Sequence, residues 1–122
     1  MFFYENPDAN SDASNRYVFV PSGIVRKDEL FDLFSKELNF PDYFGRNWDA
    51  LYDCMSDLAW IPEHKIIITH KDIPFAKEGS EQKIYLDMLI DLVNNWSKDS
   101  KHIILVKFPC FLQAEIEALL QI

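Results

Sequence analysis

The chain alternates compact β-branched runs with longer stretches whose apolar side chains recur every three or four positions. Tyr17-Val18-Phe19-Val20 is the first compact run, and Pro21-Ser22-Gly23 ends it as a turn ends a strand. From Lys27 to Leu38 the period changes, and Leu30, Phe31, Phe34 and Leu38 share one side of a predicted helix. Pro41-Asp42-Tyr43-Phe44-Gly45 reads as a turn. Asn47 is then placed to cap a helix running to about Leu58, with Trp48, Leu51, Met55 and Leu58 inward. Lys65-Ile66-Ile67-Ile68-Thr69 is apolar without alternation, the pattern of a parallel strand covered on both faces. Helical period returns from Glu81 to Trp96 through Ile84, Tyr85, Met88, Leu89, Leu92 and Trp96. Ile103-Ile104-Leu105-Val106 is the last buried-type strand, and a terminal helix fits about residues 111–121 with Ile116, Leu119 and Leu120 inward.

The order β-α-α-β-α-β-α predicts an α/β protein: a three-stranded parallel sheet flanked by helices, with right-handed crossovers and an extra C-terminal helix. Residues 5–16, ENPDANSDASNR, have the composition of a loop, so residues 1–16 are expected to form an irregular N-terminal extension. Residues 17–122 are expected to form a single domain, since no repeat or linker divides them. The apolar residues Phe108, Phe111, Leu112, Leu119 and Leu120 leave two roles open for the terminal helix, capping the sheet or meeting a second copy.

Composition narrows the functional class. Apolar residues make up 48% of the chain and aromatics 15%, enough to fold without staples. Twenty acidic against 12 basic residues give a net charge of −8, which opposes direct binding of nucleic acid or an anionic membrane and favours a basic partner. The same charge also serves solubility. Cys54 and Cys110 form neither a disulfide framework nor a metal-spaced cluster, which fits reduced thiols in the cytoplasm. Met1-Phe2-Phe3-Tyr4-Glu5-Asn6 lacks the basic region and long apolar core of a signal peptide, and no apolar run nears the roughly 18 residues of a membrane span.

Catalytic patterns are missing. There is no HExxH, no GxSxG and no phosphate-cradling loop, and the whole chain has three glycines, so neither catalytic residues nor a cofactor are expected. His64 and His70 flank one predicted strand and His102 stands apart; a lone histidine in such a place is more often at the surface than a base. Cys54 shares the apolar side of its helix with Leu51 and Met55, where an inert buried thiol is expected.

The unusual pattern is Asp49, Asp53 and Asp57, three carboxylates at four-residue intervals on one helix face, with Tyr52 and Ser56 beside them. Like charges so placed oppose the helix by roughly 0.2–0.5 kcal/mol per pair, and only Asp49 gains from the helix dipole. Three readings stand: a solvated face, a divalent-cation site, or a docking face for a basic protein with Tyr43 and Tyr52 as anchors. The cation site lacks a glycine-bearing calcium loop or a second ligand cluster, and no metal is expected. Phe44 and Trp48 are assigned to core packing.

The segment Phe40-Pro41-Asp42-Tyr43-Phe44-Gly45-Arg46-Asn47-Trp48-Asp49-Ala50-Leu51-Tyr52-Asp53-Cys54-Met55 resembles the signature of the barstar family, intracellular inhibitors of the ribonuclease barnase. That signature runs Pro-acidic-Tyr-aromatic-Gly-x-Asn-x-Asp-Ala-Leu-x-Asp-Cys. With Ser22-Gly23-Ile24, Glu37-Leu38 and the later strands, the resemblance covers about residues 17–107. It implies a non-enzymatic α/β protein, monomeric until it meets its partner, whose acidic helix plugs the active site of a basic ribonuclease or nuclease toxin. On this resemblance Asp53 leads the partner-binding set, followed by Asp49, Tyr43 and Tyr52, with Asn47 and Gly45 shaping the turn into the helix. The family also uses an acidic residue on a later helix, a part open to Asp87 or Asp91. Three positions depart from the family: Arg46 replaces an acid, Tyr52 a tryptophan and Asp57 a glycine, which points to a different cognate nuclease. The alternative is an adaptor or regulator of the same fold that binds another basic protein.

Overall fold

The computed structural model describes residues 2–5, 14–96 and 101–121. Its elements are β1 (Phe2–Tyr4), β2 (Arg16–Val20), α1 (Lys27–Glu37), α2 (Trp48–Asp57), β3 (Lys65–His70), α3 (Gly79–Trp96), β4 (Ile103–Phe108), a 3-10 turn (Cys110–Leu112) and α4 (Gln113–Leu120). The strands form one fully parallel sheet in the order β1-β4-β3-β2. The α/β architecture is the expected one, but the sheet has four strands where three were predicted. The additional strand comes from the segment read as an irregular extension: Phe2 lies opposite Val106 and Tyr4 opposite Phe108. Phe2 is buried, and its ring packs 5.4 Å from that of Phe108. Three residues carry too little alternation to announce a strand, so tertiary packing and not local pattern makes this one. Most of the predicted loop over 5–16, residues 6–13, lies outside the described residues.

Register explains the core. Val18, Ile68, Val106 and Phe2 form one row across the sheet, and all four are buried. The alternate row through Phe19, Thr69, Lys107 and Phe3 is far more open, with Phe19 53% and Phe3 43% exposed. Side chains in a strand alternate faces, so one face carries the main core and the other stays partly wet. The unbroken Ile66-Ile67-Ile68 run is buried throughout, with Ile67 flanked in register by Tyr17 and Leu105.

The helices bury most of the stripes that their spacing predicted: Leu30, Phe31 and Phe34 on α1, Leu51 and Met55 on α2, and Tyr85, Met88, Leu89, Leu92 and Trp96 on α3, whereas Ile84 of the α3 stripe is exposed beside α2. The terminal helix α4 packs on α3, with Ile116 and Leu112 buried and Leu119 and Leu120 against the core. Phe111 stays 76% exposed. The histidines need a correction, because His70 and His102 are buried while His64 is exposed. Each buried ring finds its partners far along the chain, as the next subsection and the Discussion describe.

Candidate functional site

The candidate site is built on α2 and the turn that enters it. Asn47 caps the helix, its Oδ1 accepting from the Ala50 N–H at 2.8 Å, which satisfies one of the donors that a helix start leaves orphaned. The left-handed backbone of the turn falls on Arg46, with φ at 57°, and not on Gly45. Asn39 takes a similar φ of 51° at the other end of the turn, and Phe44 N–H donates to the Pro41 carbonyl to close it. Beneath the turn, Phe44 packs edge-on against Phe31 and Phe40, and Trp48 against Phe31 and Phe75. Phe44 and Trp48 therefore anchor the turn to the core, while Tyr43 projects with 77% of its surface exposed.

The far end of α2 is held as firmly. Leu58 closes the helix in a left-handed cap, and the Trp96 indole N–H of α3 donates to the Met55 carbonyl at 2.8 Å. The buried His102 ring lies 3.0 Å from the Leu58 carbonyl and 2.9 Å from that of Glu63. Trp96 of α3 thus satisfies a carbonyl that the helix end leaves without a partner, while His102, just before β4, sets its ring beside the Leu58 carbonyl, which also accepts from the Ile61 N–H. Rigidity at both ends means the exposed face is presented in one geometry, which lowers the ordering cost of docking.

Asp49, Asp53 and Asp57 are all exposed on that face. Among the described residues none of the three pairs with a cation, whereas Glu5, Asp28, Asp32, Glu63, Glu81 and Asp87 all do. Arg46, the one cation in the signature segment, turns to Asp32 on α1 instead of to Asp49. No cation among the described residues therefore offsets the stripe. Cys54 sits beneath it, and burial, then the charges of Asp53 and Asp57, push its thiol pKa up, so it is a poor nucleophile.

Between α2 and α3 runs a groove of about 300 Å³, floored by Ile84 and Met88 and edged by Asp49, Asp87 and Asp91. Trp48 and Tyr52 line it from α2. The Trp48 indole donates to Glu81 at 3.0 Å and the Tyr52 hydroxyl accepts from Asn95 at 2.7 Å, so α3 steadies both rings. Asp87 and Asp91 thus both reach the groove, although Asp87 also pairs with Lys83 and Asp91 has no cation among the described residues. A larger groove of about 560 Å³ includes Arg26, Lys27 and Arg46 together with Asp28, Glu78 and Glu81, and each of its cations is paired, Arg26 with Asp28, Lys27 with Glu81 and Arg46 with Asp32 on α1. A mosaic of both signs projects little field, whereas the charged side chains lining the smaller groove are all acidic.

The structure thus brings Asp49, Tyr52, Asn47 and the turn of Gly45 and Arg46 onto one end of α2, with Asp53 and Asp57 continuing the stripe one and two turns on. What local sequence could not supply was Asn95 and Glu81, which meet α2 from 43 and 33 positions away. Among the described residues, no three His, Cys, Asp or Glu groups converge as metal ligands would, and no helix is long and apolar enough to cross a membrane.

Fold and face together define a small α/β protein whose distinguishing surface is a rigidly mounted, uncompensated acidic helix. The chain belongs to the barstar family: the family described as Barstar (barnase inhibitor) matches residues 17–116. The match runs past Lys107, where the sequence resemblance ended, and takes in half of α4. A Bacillus subtilis (strain 168) protein named "Putative ribonuclease inhibitor YrdF" is 48% identical over 74 residues, which cover 59% of this chain and 74% of that relative. No solved structure matches the chain.

Proposed function

We propose that this protein inhibits a basic ribonuclease by laying α2 across the enzyme's active site. Asp53 and Asp49 stand where substrate phosphates would, facing the cationic side chains that bind them, and Tyr43 and Tyr52 supply apolar contact beside the charges. Asp57 extends the acceptor row, and Asp87 and Asp91 share the groove with Asp49 at its start. Arg46, tied to Asp32, contributes little repulsion. The protein takes no part in bond making or breaking and uses no metal or cofactor. It acts as a monomer in the cytoplasm, where Cys54 and Cys110 remain reduced.

The observation that carries this reading is the alignment of Asp49, Asp53 and Asp57 on one face of a helix held at both ends, each exposed and without a cation among the described residues. Unpaired carboxylates on a rigid helix cost stability through mutual repulsion and offer nothing to the core. A partner's cations offset that repulsion, and charge pairs desolvated at an interface centre are worth roughly 2 kcal/mol or more. The barnase–barstar pair is itself a reference case for this magnitude and for electrostatic steering, so both come from the family and not from this structure.

The test is titration of a panel of microbial ribonucleases, barnase included, with the purified chain. Stoichiometric inhibition of at least one enzyme is expected, weakened at least about 30-fold in Asp53→Ala. Inhibition that survives this substitution unchanged would remove Asp53 from its leading role. The departures at Arg46 and Asp57 favour a cognate nuclease other than barnase; the alternative of a non-nuclease basic partner on the same face is separated by affinity capture from the source cell, through the identity of what is captured.

A further inference from the structure

Asn95, near the end of α3, lies outside the acidic stripe, yet its Nδ2 donates to the Tyr52 hydroxyl oxygen at 2.7 Å. The chemistry around that bond is one-sided. Asp49, Asp87 and Asp91 edge the same groove, and an ionised carboxylate only accepts hydrogen bonds. The indole N–H of Trp48, the other donor facing the groove, is committed to Glu81. A phenol hydroxyl has one hydrogen to give and lone pairs to receive with. Because Asn95 occupies a receiving site on Tyr52, the phenol hydrogen is left to point outward.

We infer that Asn95 is a specificity-determining residue: it makes Tyr52 a hydrogen-bond donor set beside carboxylates that only accept. The partner selected must place an acceptor, a backbone carbonyl or a carboxylate, beside its cationic centre and about one helical turn from the groups that meet Asp49. A tryptophan, which the resembling family carries at the position of Tyr52, also donates and cannot accept. Asn95 therefore restores to a tyrosine the polarity that an indole has by itself. The inference rests on the proposed function for its partner, but the hydrogen bond beneath it is a property of the free chain.

The experiment compares the wild-type chain, Asn95→Asp, Tyr52→Phe and the double variant in binding to barnase, with association and dissociation followed separately. Asn95→Asp adds a negative charge, which by itself speeds capture of a cationic enzyme. Its carboxylate, however, accepts the phenol hydrogen and so removes the outward donor. The expected result is binding weakened about five- to tenfold through faster dissociation, the worth of one hydrogen bond. Tyr52→Phe should weaken binding by a similar factor, and Asn95→Asp should add no further loss on top of it. Asn95→Asp binding as tightly as wild type, or more tightly, overturns the inference. Should the wild-type chain ignore barnase, the same variants are compared on whichever ribonuclease of the panel it inhibits; inhibition of none counts against the functional reading, and the polarity is then decided on the free protein by NMR. There one Asn95 side-chain amide proton should lie downfield and lose that shift in Tyr52→Phe; an amide pair indifferent to that substitution overturns the inference whether or not barnase binds.

Discussion

His70 should make the fold sensitive to mild acid. The imidazole sits in the core at the end of β3, stacked on Phe108 with ring centroids 4.0 Å apart. Its Nδ1 lies 2.9 Å from the Lys107 carbonyl, which can only accept, so Nδ1 carries the hydrogen. Nε2, 2.6 Å from the Tyr85 hydroxyl, then receives the phenol hydrogen. The neutral ring is thus fully satisfied, and a second proton would bring a charge into a site with no carboxylate bonded to it. Burial accordingly lowers the His70 pKa to about 3, against the ordinary 6.5, with the Lys107 carbonyl opposing only part of the effect.

The consequence for stability follows by linkage. Above pH 6.5 His70 is neutral in the folded and unfolded chains alike, and its contribution is fully present. Between about pH 6.5 and 3 only the unfolded chain takes up the proton, so stability falls by about 1.4 kcal/mol for each pH step. The whole gap is worth about 5 kcal/mol, the same order as the total stability of a small domain. His70→Gln isolates the effect, because an amide can donate to Lys107 and accept from Tyr85 without titrating. At pH 7.5 the variant should be the less stable by about 2 kcal/mol for its lost stacking and volume. Urea unfolding followed by tryptophan fluorescence should show the two stabilities converging below pH 6.5, by about 2 kcal/mol at pH 5. Parallel stability curves for the two proteins, or a His70 ring resonance titrating near 6.5 in the folded state, would refute the reasoning.

Three further outcomes test other joints of the structure. Asn47→Ala should lower stability by about 1 kcal/mol in chemical unfolding, since it removes the cap on α2, and should weaken ribonuclease inhibition by loosening the stripe. Phe2→Ala should cost about 3 kcal/mol by thermal or urea unfolding, because Phe2 is buried against Phe108; a neutral result would make β1 an ornament of the sheet. Arg16→Met breaks a two-pronged contact with Glu63 and a bond to the Glu37 carbonyl, and a loss of about 1–2 kcal/mol is expected in the same assay.

What the sequence revealed divides along the range of the interactions involved. The three longer strands, the helices, the cap at Asn47 and the Asp49, Asp53, Asp57 stripe are local: each is specified within a few residues, and periodicity exposes them. β1 was hidden because only Val106 and Phe108, over a hundred positions away, give Phe2 and Tyr4 a reason to be a strand. His70 and His102 looked like surface residues because the groups that permit their burial, Lys107 and Tyr85 for one and Leu58 and Glu63 for the other, stand 15 to 44 positions distant. Arg46 looked like a positive intrusion on the acidic face until Asp32, 14 positions back, drew it aside.

The same division bears on how the acidic face can exist. Three carboxylates in line on an isolated helix would weaken it, and nothing local to α2 relieves them. The relief is supplied at the ends and underneath: Asn47 at the first turn, Trp96 and His102 at the last carbonyls, and the aromatic cluster of Phe31, Phe44 and Trp48 at the base. Apart from the cap at Asn47, these contacts reach α2 from distant parts of the chain, and all of them leave the exposed side untouched. A surface helix kept only for its packing would gain by exchanging Asp53 or Asp57 for lysine, which would turn a repulsion into an i,i+4 attraction. That the chain instead invests its tertiary contacts in holding the stripe rigid and bare is what a docking function requires and what solubility alone does not.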